Sequence, residues 1–162
     1  MPQPPIAAVP AGWLVVAAVP AGVLRSAVTP TREAAAEAVA RVADHHDPAV
    51  SADALARVAA ALNAGARIPD VPLAVQGTAF QHRVWRALCA VPPGRTRSYG
   101  ALAREAGHPG AARAVAGACA ANPAAPVIPC HRAVRAGGGL GGYRWGGAVK
   151  RALLAAEGAV PG

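Results

Sequence analysis

The chain has 162 residues, with sixteen Lys and Arg against eight Asp and Glu, a formal net charge of +8 and three cysteines. That length suits one compact domain or two small ones packed together, with a core that needs no disulfide staples. Three cysteines without a C-x-x-C read as free thiols in a reducing compartment, and no uninterrupted apolar run of about 18 residues is present to span a membrane.

No cationic segment precedes the first apolar stretch, and MPQPPIAAVP is broken by prolines, so no signal peptide is expected and a cytoplasmic location follows. GWLVVAAV (12–19) and GVLRSAV (22–28) are short, β-branched and separated by Pro20-Ala21, which predicts a strand pair with a tight connection. Thr29-Pro30 predicts a cap with proline in the first turn of an alanine-rich helix reaching about Val42. DHHDP breaks it. Ser51 is expected to cap a second helix, whose apolar line is Leu55, Val58 and Leu62, with Gly65 at its end. RIPDVPLAVQG (67–77) reads as a linker or an edge strand.

The charge switches at that segment. Residues 1–76 hold five Arg against six acids, whereas eleven Arg and Lys in 77–162 face only Glu105 and Glu157. The boundary is placed there, giving an N-terminal α/β domain over 1–75 and a C-terminal domain over 76–162. Thr78 and Gln81 form a capping box, and Phe80, Val84, Trp85 and Leu88 then share one helix face until VPPG ends the run. Ser98 caps SYGALAREAG, with Leu102, Ala103 and Ala106 inward and Gly107 at the stop. Pro109 is expected to open a third helix that Asn122-Pro123 closes. A leading helix followed by two short helices and a tight turn predicts a helix-turn-helix unit. VIPCHRAVR is expected to be extended, AGGGLGGY a loop and GGAVKRALLAAEG a final helix.

A C-terminal part this basic points to a polyanionic partner, nucleic acid above all; a solvated basic face with no partner is the plain alternative. The third helix carries Arg113 as its only long side chain among residues 111–121. Such a slim helix either lies close to a narrow groove with one cationic projection or is a buried alanine helix with Arg113 at the surface.

Cys130 stands directly beside His131. A cysteine is a nucleophile only as a thiolate, so a base or a positive charge must help it. Neighbours in an extended segment point to opposite faces, so a direct Cys–His bond needs a turn, which Pro129 permits, or a bridging water. Cys89, Cys119, Cys130, His108 and His131 lack metal-ligand spacing, so no metal site is expected, and Cys89 and Cys119 read as small core residues. Glu157, the only acid after Glu105, falls on the stripe Val149, Leu153, Glu157 that otherwise faces the core. At a helix C-terminus the dipole disfavours a carboxylate, so a partner is expected for it, His131 first or a solvated last turn otherwise.

IPCHR, with SYGALA, AARAVAGACAANP and GTAFQ..VW before it and GGYRWG...K..LL..E after it, resembles the O6-alkylguanine-DNA alkyltransferase family from about Gly77 to Gly158. The resemblance implies a small ribonuclease H-like α/β domain followed by a winged-helix-like helix-turn-helix domain. It implies repair of O6-alkylguanine, and of O4-alkylthymine, in double-stranded DNA approached through the minor groove by a monomer that acts once and needs no cofactor. Cys130 then resembles the alkyl acceptor, His131 its base acting through a water, Glu157 the acid orienting the histidine, and Asn122 the residue holding the active-site turn. Tyr99 resembles the phenol that bends the backbone and donates a proton to guanine, and Lys150 the lysine near the site. Arg113 resembles the finger that fills the hole left by the flipped base, Ala112 and Ala114 the small groove-lining residues, and Arg132 a further DNA contact. Ala133, Tyr143, Arg144 and Trp145 resemble the pocket wall, and the bulk of Trp145 is expected to narrow it against large adducts. The competing reading is a non-catalytic lesion-binding or helix-turn-helix regulatory protein; relatives of that kind lack the acceptor cysteine.

Overall fold

The computed structural model describes residues 3–159. It is a mixed α/β fold with a three-stranded sheet, a two-stranded one and six α-helices among those residues. Strands β1 (Ile6–Val9), β2 (Gly12–Val19) and β3 (Gly22–Thr29) form an antiparallel sheet in the order β1-β2-β3. The two longer strands are those the β-branched runs predict. β1 was hidden by its flanking prolines, yet it pairs Ile6 with Val15 through Val9 with Gly12.

The exposed edge that β3 would present is covered by later parts of the chain, which removes a template for unwanted pairing. The Val23 amide donates to the Pro72 carbonyl at 2.8 Å, and the Ala74 amide returns to the Val23 carbonyl at 2.8 Å. Further along, the Ser26 amide donates to Pro123 at 2.9 Å and the Ser26 hydroxyl donates to the Ala125 carbonyl at 2.8 Å. The 67–77 segment therefore does serve as an edge, through a bridge at Leu73, and the turn before Cys130 is tied to the same strand. Ser26→Ala leaves the buried Ala125 carbonyl without its side-chain donor. It is expected to destabilise the protein by about 1–3 kcal/mol, read as a shift in the thermal or denaturant midpoint.

The helices α1 (Arg32–Ala38) and α2 (Pro48–Ala64) flank the sheet. Both begin elsewhere than expected. Thr29 stays in the strand with its hydroxyl donating to the Thr31 carbonyl at 2.7 Å, so Thr31 becomes the cap. α1 also stops short of Val42, which lies in a separate 3-10 turn over Ala40–Val42. Ser51 is used by the sheet: its hydroxyl accepts from the Ala18 amide at 2.9 Å and donates to the Ala18 carbonyl at 3.2 Å. Asp47 caps α2 instead, with Pro48 at the first position. Gly65 ends that helix in the left-handed region at φ 61°, where a side chain would be strained.

The second part is helical. Helix α3 (Ala79–Cys89) opens with the expected capping box, both of its hydrogen bonds formed. A short strand β4 (Arg97–Ser98) leads into α4 (Tyr99–Glu105), and α5 (Ala112–Ala120) follows after a turn. α5 begins at Ala112 rather than at Pro109 because Gly110, at φ 85°, turns the chain first. The Trp85 indole of α3 donates to the Ala118 carbonyl of α5 at 2.9 Å and locks the three-helix unit. A 3-10 turn over Cys130–Arg132, strand β5 (Ala133–Val134), paired parallel to β4, and helix α6 (Gly147–Ala156) complete the chain.

One hydrophobic core joins both parts. Leu14, Val16 and Val28 of the sheet meet Val58 and Leu62 of α2 and, through them, Leu88, Leu102, Val115, Ile128 and Leu153. The opposite sheet face carries a smaller cluster of Val15, Ala17 and Ala27 with Ala35 and Val39 of the α1 region.

Candidate active site

The segment VIPCHRAVR (127–135), expected to be extended, is a strand at Ala133–Val134 but turns tightly just before it. Asn122 builds the approach: its amide nitrogen donates to the Ile128 carbonyl at 2.8 Å and its oxygen accepts from the Ala124 amide at 2.9 Å. With the 3-10 turn at Cys130–Arg132, adjacent side chains no longer alternate across a strand. Cys130, His131 and Arg132 are all buried.

His131 Nε2 lies 2.7 Å from Glu157 Oε1. Arg132 grips the same carboxylate, Nη2 donating to Oε1 at 2.7 Å and Nε to Oε2 at 3.1 Å, while Nη1 donates to the Val91 carbonyl at 2.6 Å. Burial alone would raise the Glu157 pKa, but hydrogen bonds from His131 and Arg132 together with their charge outweigh it and hold the group at about 2. Glu157 is therefore a carboxylate that only accepts, which fixes the His131 proton on Nε2. Burial pushes His131 below its usual range, so the ring is neutral at physiological pH. Its other nitrogen, Nδ1, carries the free lone pair, is buried and has no protein partner.

The Glu157 shift makes a pH prediction. A carboxyl depressed from 4.5 to about 2 contributes stability that is fully present above the unfolded value and is lost as pH falls through the folded one. The contribution is on the order of 3 kcal/mol. The stability gap between wild type and Glu157→Gln, measured by denaturant unfolding, is expected to close between about pH 4.5 and pH 2.

Cys130 opens onto a cavity of about 280 Å³ lined by Tyr99, Ala116, Cys119, Ala120, Gly142, Tyr143 and Arg144, at the small end of ligand pockets. Burial raises the Cys130 thiol pKa, against the opposing effects of the Asn122 hydrogen bond and the Lys150 charge, so the resting sulfur is protonated. Cys119 packs against the core as expected and also forms a pocket wall, its thiol pushed up to about 12 mainly by burial. That makes it a weak nucleophile. Cys89, also expected in the core, is exposed.

Lys150 is fully buried, and its ammonium donates to the Ala133 carbonyl at 2.6 Å and to the Gly142 carbonyl at 3.2 Å. It thus ties the cysteine turn to the pocket loop and lies 5.9 Å from the Tyr99 ring centroid. Gly141 brings that loop against Tyr99: at φ 74°, a Cβ there would stand 2.5 Å from the phenol oxygen.

Several sequence-based assignments are thereby corrected. Arg132 does not face a DNA surface; it is 4% exposed and committed to Glu157 and Val91. Ala133 and Trp145 are absent from the cavity lining, so Trp145 does not narrow it. Trp145 instead packs at the junction of the large core and the small cluster on the far sheet face, while Arg144 takes the wall position. Arg113 and Ala114 are exposed on α5 and Ala112 is half-buried. Arg113 shares a helix face, at i+3 and i+7, with Ala116 and Ala120 of the pocket wall. Among the described residues no cluster of metal-ligating side chains occurs, and no helix is long and apolar enough to cross a membrane.

Fold and site together set a buried cysteine, beside a histidine and arginine that share one carboxylate, at a small pocket walled by a unit of three packed helices. A family profile described as 6-O-methylguanine DNA methyltransferase, DNA binding domain, matches residues 79–159. The chain belongs to that family. It is 53% identical over 117 residues to the "Regulatory protein ada" of Salmonella typhimurium, covering 69% of this chain and 32% of that protein. It is 54% identical over 88 residues to the methylated-DNA–protein-cysteine methyltransferase of Mycobacterium tuberculosis, covering 54% of this chain and 53% of that one. These matches thus span between a third and about half of the curated relatives' lengths. A solved structure of M. tuberculosis OGT in complex with DNA superposes with a TM-score of 0.73 at 38% identity, over 94% of this chain and 90% of that one.

Proposed function

We propose that this chain repairs alkylated DNA by moving a methyl or other small alkyl group from O6 of guanine, or O4 of thymine, to Cys130. The observation that carries the reading is the buried thiol backed by His131, Glu157 and Arg132 and opening onto a small pocket whose wall is helix α5. The target atom is shielded inside a duplex, so the base must leave the stack to meet the sulfur. As it enters, His131 Nδ1 takes the Cys130 proton through one water. The sulfur attacks the alkyl carbon, the carbon–oxygen bond breaks, and its electron pair stays with the base. The Tyr99 phenol, kept protonated by burial, supplies a proton to the departing ring. The product thioether is not hydrolysed by any group nearby, so each chain acts once and needs no soluble methyl donor.

In the same reading Arg113 enters the duplex to offset the cost of flipping, with Ala112 and Ala114 letting α5 lie close in the minor groove. Residues 1–75 are a ribonuclease H-like domain and 76–162 a winged-helix-like one, and the protein works as a cytoplasmic monomer. The test is intact mass after incubation with a duplex containing O6-methylguanine. A gain of one methyl group per chain, mapped to the Cys130 peptide and saturating at one equivalent, is expected. Binding without any mass gain overturns the proposal in favour of a non-catalytic reader.

A further inference from the structure

Three arginines from distant parts of the chain meet beside the pocket. Arg25 lies in β3 opposite Ala17. By strand alternation it shares a face with Ala27, a member of the small cluster beneath α1. Arg41 sits in the 3-10 turn that follows α1. Arg144 lines the cavity, and its guanidinium stacks on Trp145 at 4.9 Å from the ring centroid. Trp145 in turn packs against that same small cluster, which brings the pocket loop and the N-terminal sheet into one seam.

The Arg25 guanidinium is held below its usual pKa by burial, then by Arg144 and Arg41. Its Nε is buried without a hydrogen-bond partner. Among the described residues none of the three belongs to an ion pair, although Glu33, Glu37 and Asp44 lie on or just beyond α1. Folding thus gathers like charges and leaves a buried donor unsatisfied, an arrangement that an incoming anion relieves.

We propose that Arg25, Arg41 and Arg144 form a phosphate site for the DNA strand that carries the flipped nucleotide. The proposal rests on the alkyl-transfer reading above. Arg144 supplies the direction: a base inside the cavity leaves its own backbone outside, and this residue both lines the cavity and is exposed to solvent. Arg25 and Arg41 then extend the contact onto the sheet, so that the acidic N-terminal part shares in holding DNA.

The test uses the full chain with Arg25→Gln and Arg41→Gln combined. Affinity for an O6-methylguanine duplex is measured from 50 to 200 mM salt, beside the rate of transfer from free O6-methylguanine base. Loss of one phosphate contact is expected to reduce the slope of log K against log salt by about 0.9, with the free-base rate unchanged. An unchanged slope overturns the proposal, as does a free-base rate that falls in parallel, which would make these residues mere supports of the pocket. Arg41→Gln alone, at an exposed position, repeats the test should the double variant fold poorly. Inorganic phosphate alone is expected to leave the wild-type melting temperature unmoved; a stabilisation lost in the variant would mean a free-anion site instead and also overturns the assignment. Wild-type protein that binds the duplex without acquiring mass would defeat the alkyl-transfer reading separately, and does so before any variant is made.

Discussion

Glu157→Gln is expected to slow alkyl transfer by about 10²–10⁴-fold, the range of a lost general base, with little change in DNA affinity. Oε1 of Glu157 faces both His131 Nε2 and Arg132 Nη2 at 2.7 Å, whereas Oε2 meets only Arg132 Nε at 3.1 Å. A glutamine keeps one accepting oxygen, which serves the two partners at the Oε1 place, and sets an amide nitrogen that only donates against the Arg132 Nε donor. It also removes the negative charge that steadies the imidazolium formed when His131 takes the thiol proton. Single-turnover labelling with a methylated duplex reads the rate. A loss smaller than about threefold would show that the Glu157 charge does not support His131 as the base.

The largest stability effect is expected from Arg132→Ala. The guanidinium is almost wholly buried and satisfies both oxygens of Glu157 and the Val91 carbonyl. Removing it strands a buried carboxylate with one remaining partner, a change that costs about 3–5 kcal/mol. In a chain of this size each kcal/mol moves the midpoint by about 2–4 °C, so a fall of roughly 10 °C is expected by calorimetry. Arg132→Lys should restore only part of it, because a point charge replaces a fork. A midpoint within about 2 °C of wild type would show that the clamp carries no weight.

Most of the site was legible before the fold was known, for reasons tied to particular residues. The Glu157–His131 pairing could be read from a carboxylate on an otherwise apolar stripe, since burial demands a partner. The caps and turns of the three-helix unit are local chemistry, and they came out at Thr78, Ser98 and Gly107. Long-range contacts were not legible. Ser51 carries every local sign of a cap, yet the Ala18 backbone across the core claims it. Arg132 looked like one more surface cation in a basic segment; nothing nearby in the sequence announces that Glu157 and Val91 would enclose it. Trp145 followed a similar course, drawn away from the pocket by a sheet over one hundred residues earlier in the chain. The charge count hid Arg25 and Arg41 as well, because a net value for the first 76 residues says nothing of where two of its arginines stand.

The Ser26 tether bridges a separation of 99 residues to the turn that presents the sulfur, and Glu157 lies further on still. On the ribosome, β3 emerges long before either, so the site cannot form until the segment carrying Glu157 has followed. Until then Cys130 is an ordinary thiol on a nascent chain, with neither its imidazole aligned nor its pocket closed. Non-local closure of this kind slows folding, and the buried arrangement around Cys130 is complete only when the sheet strand and the helix that precedes Glu157 have met.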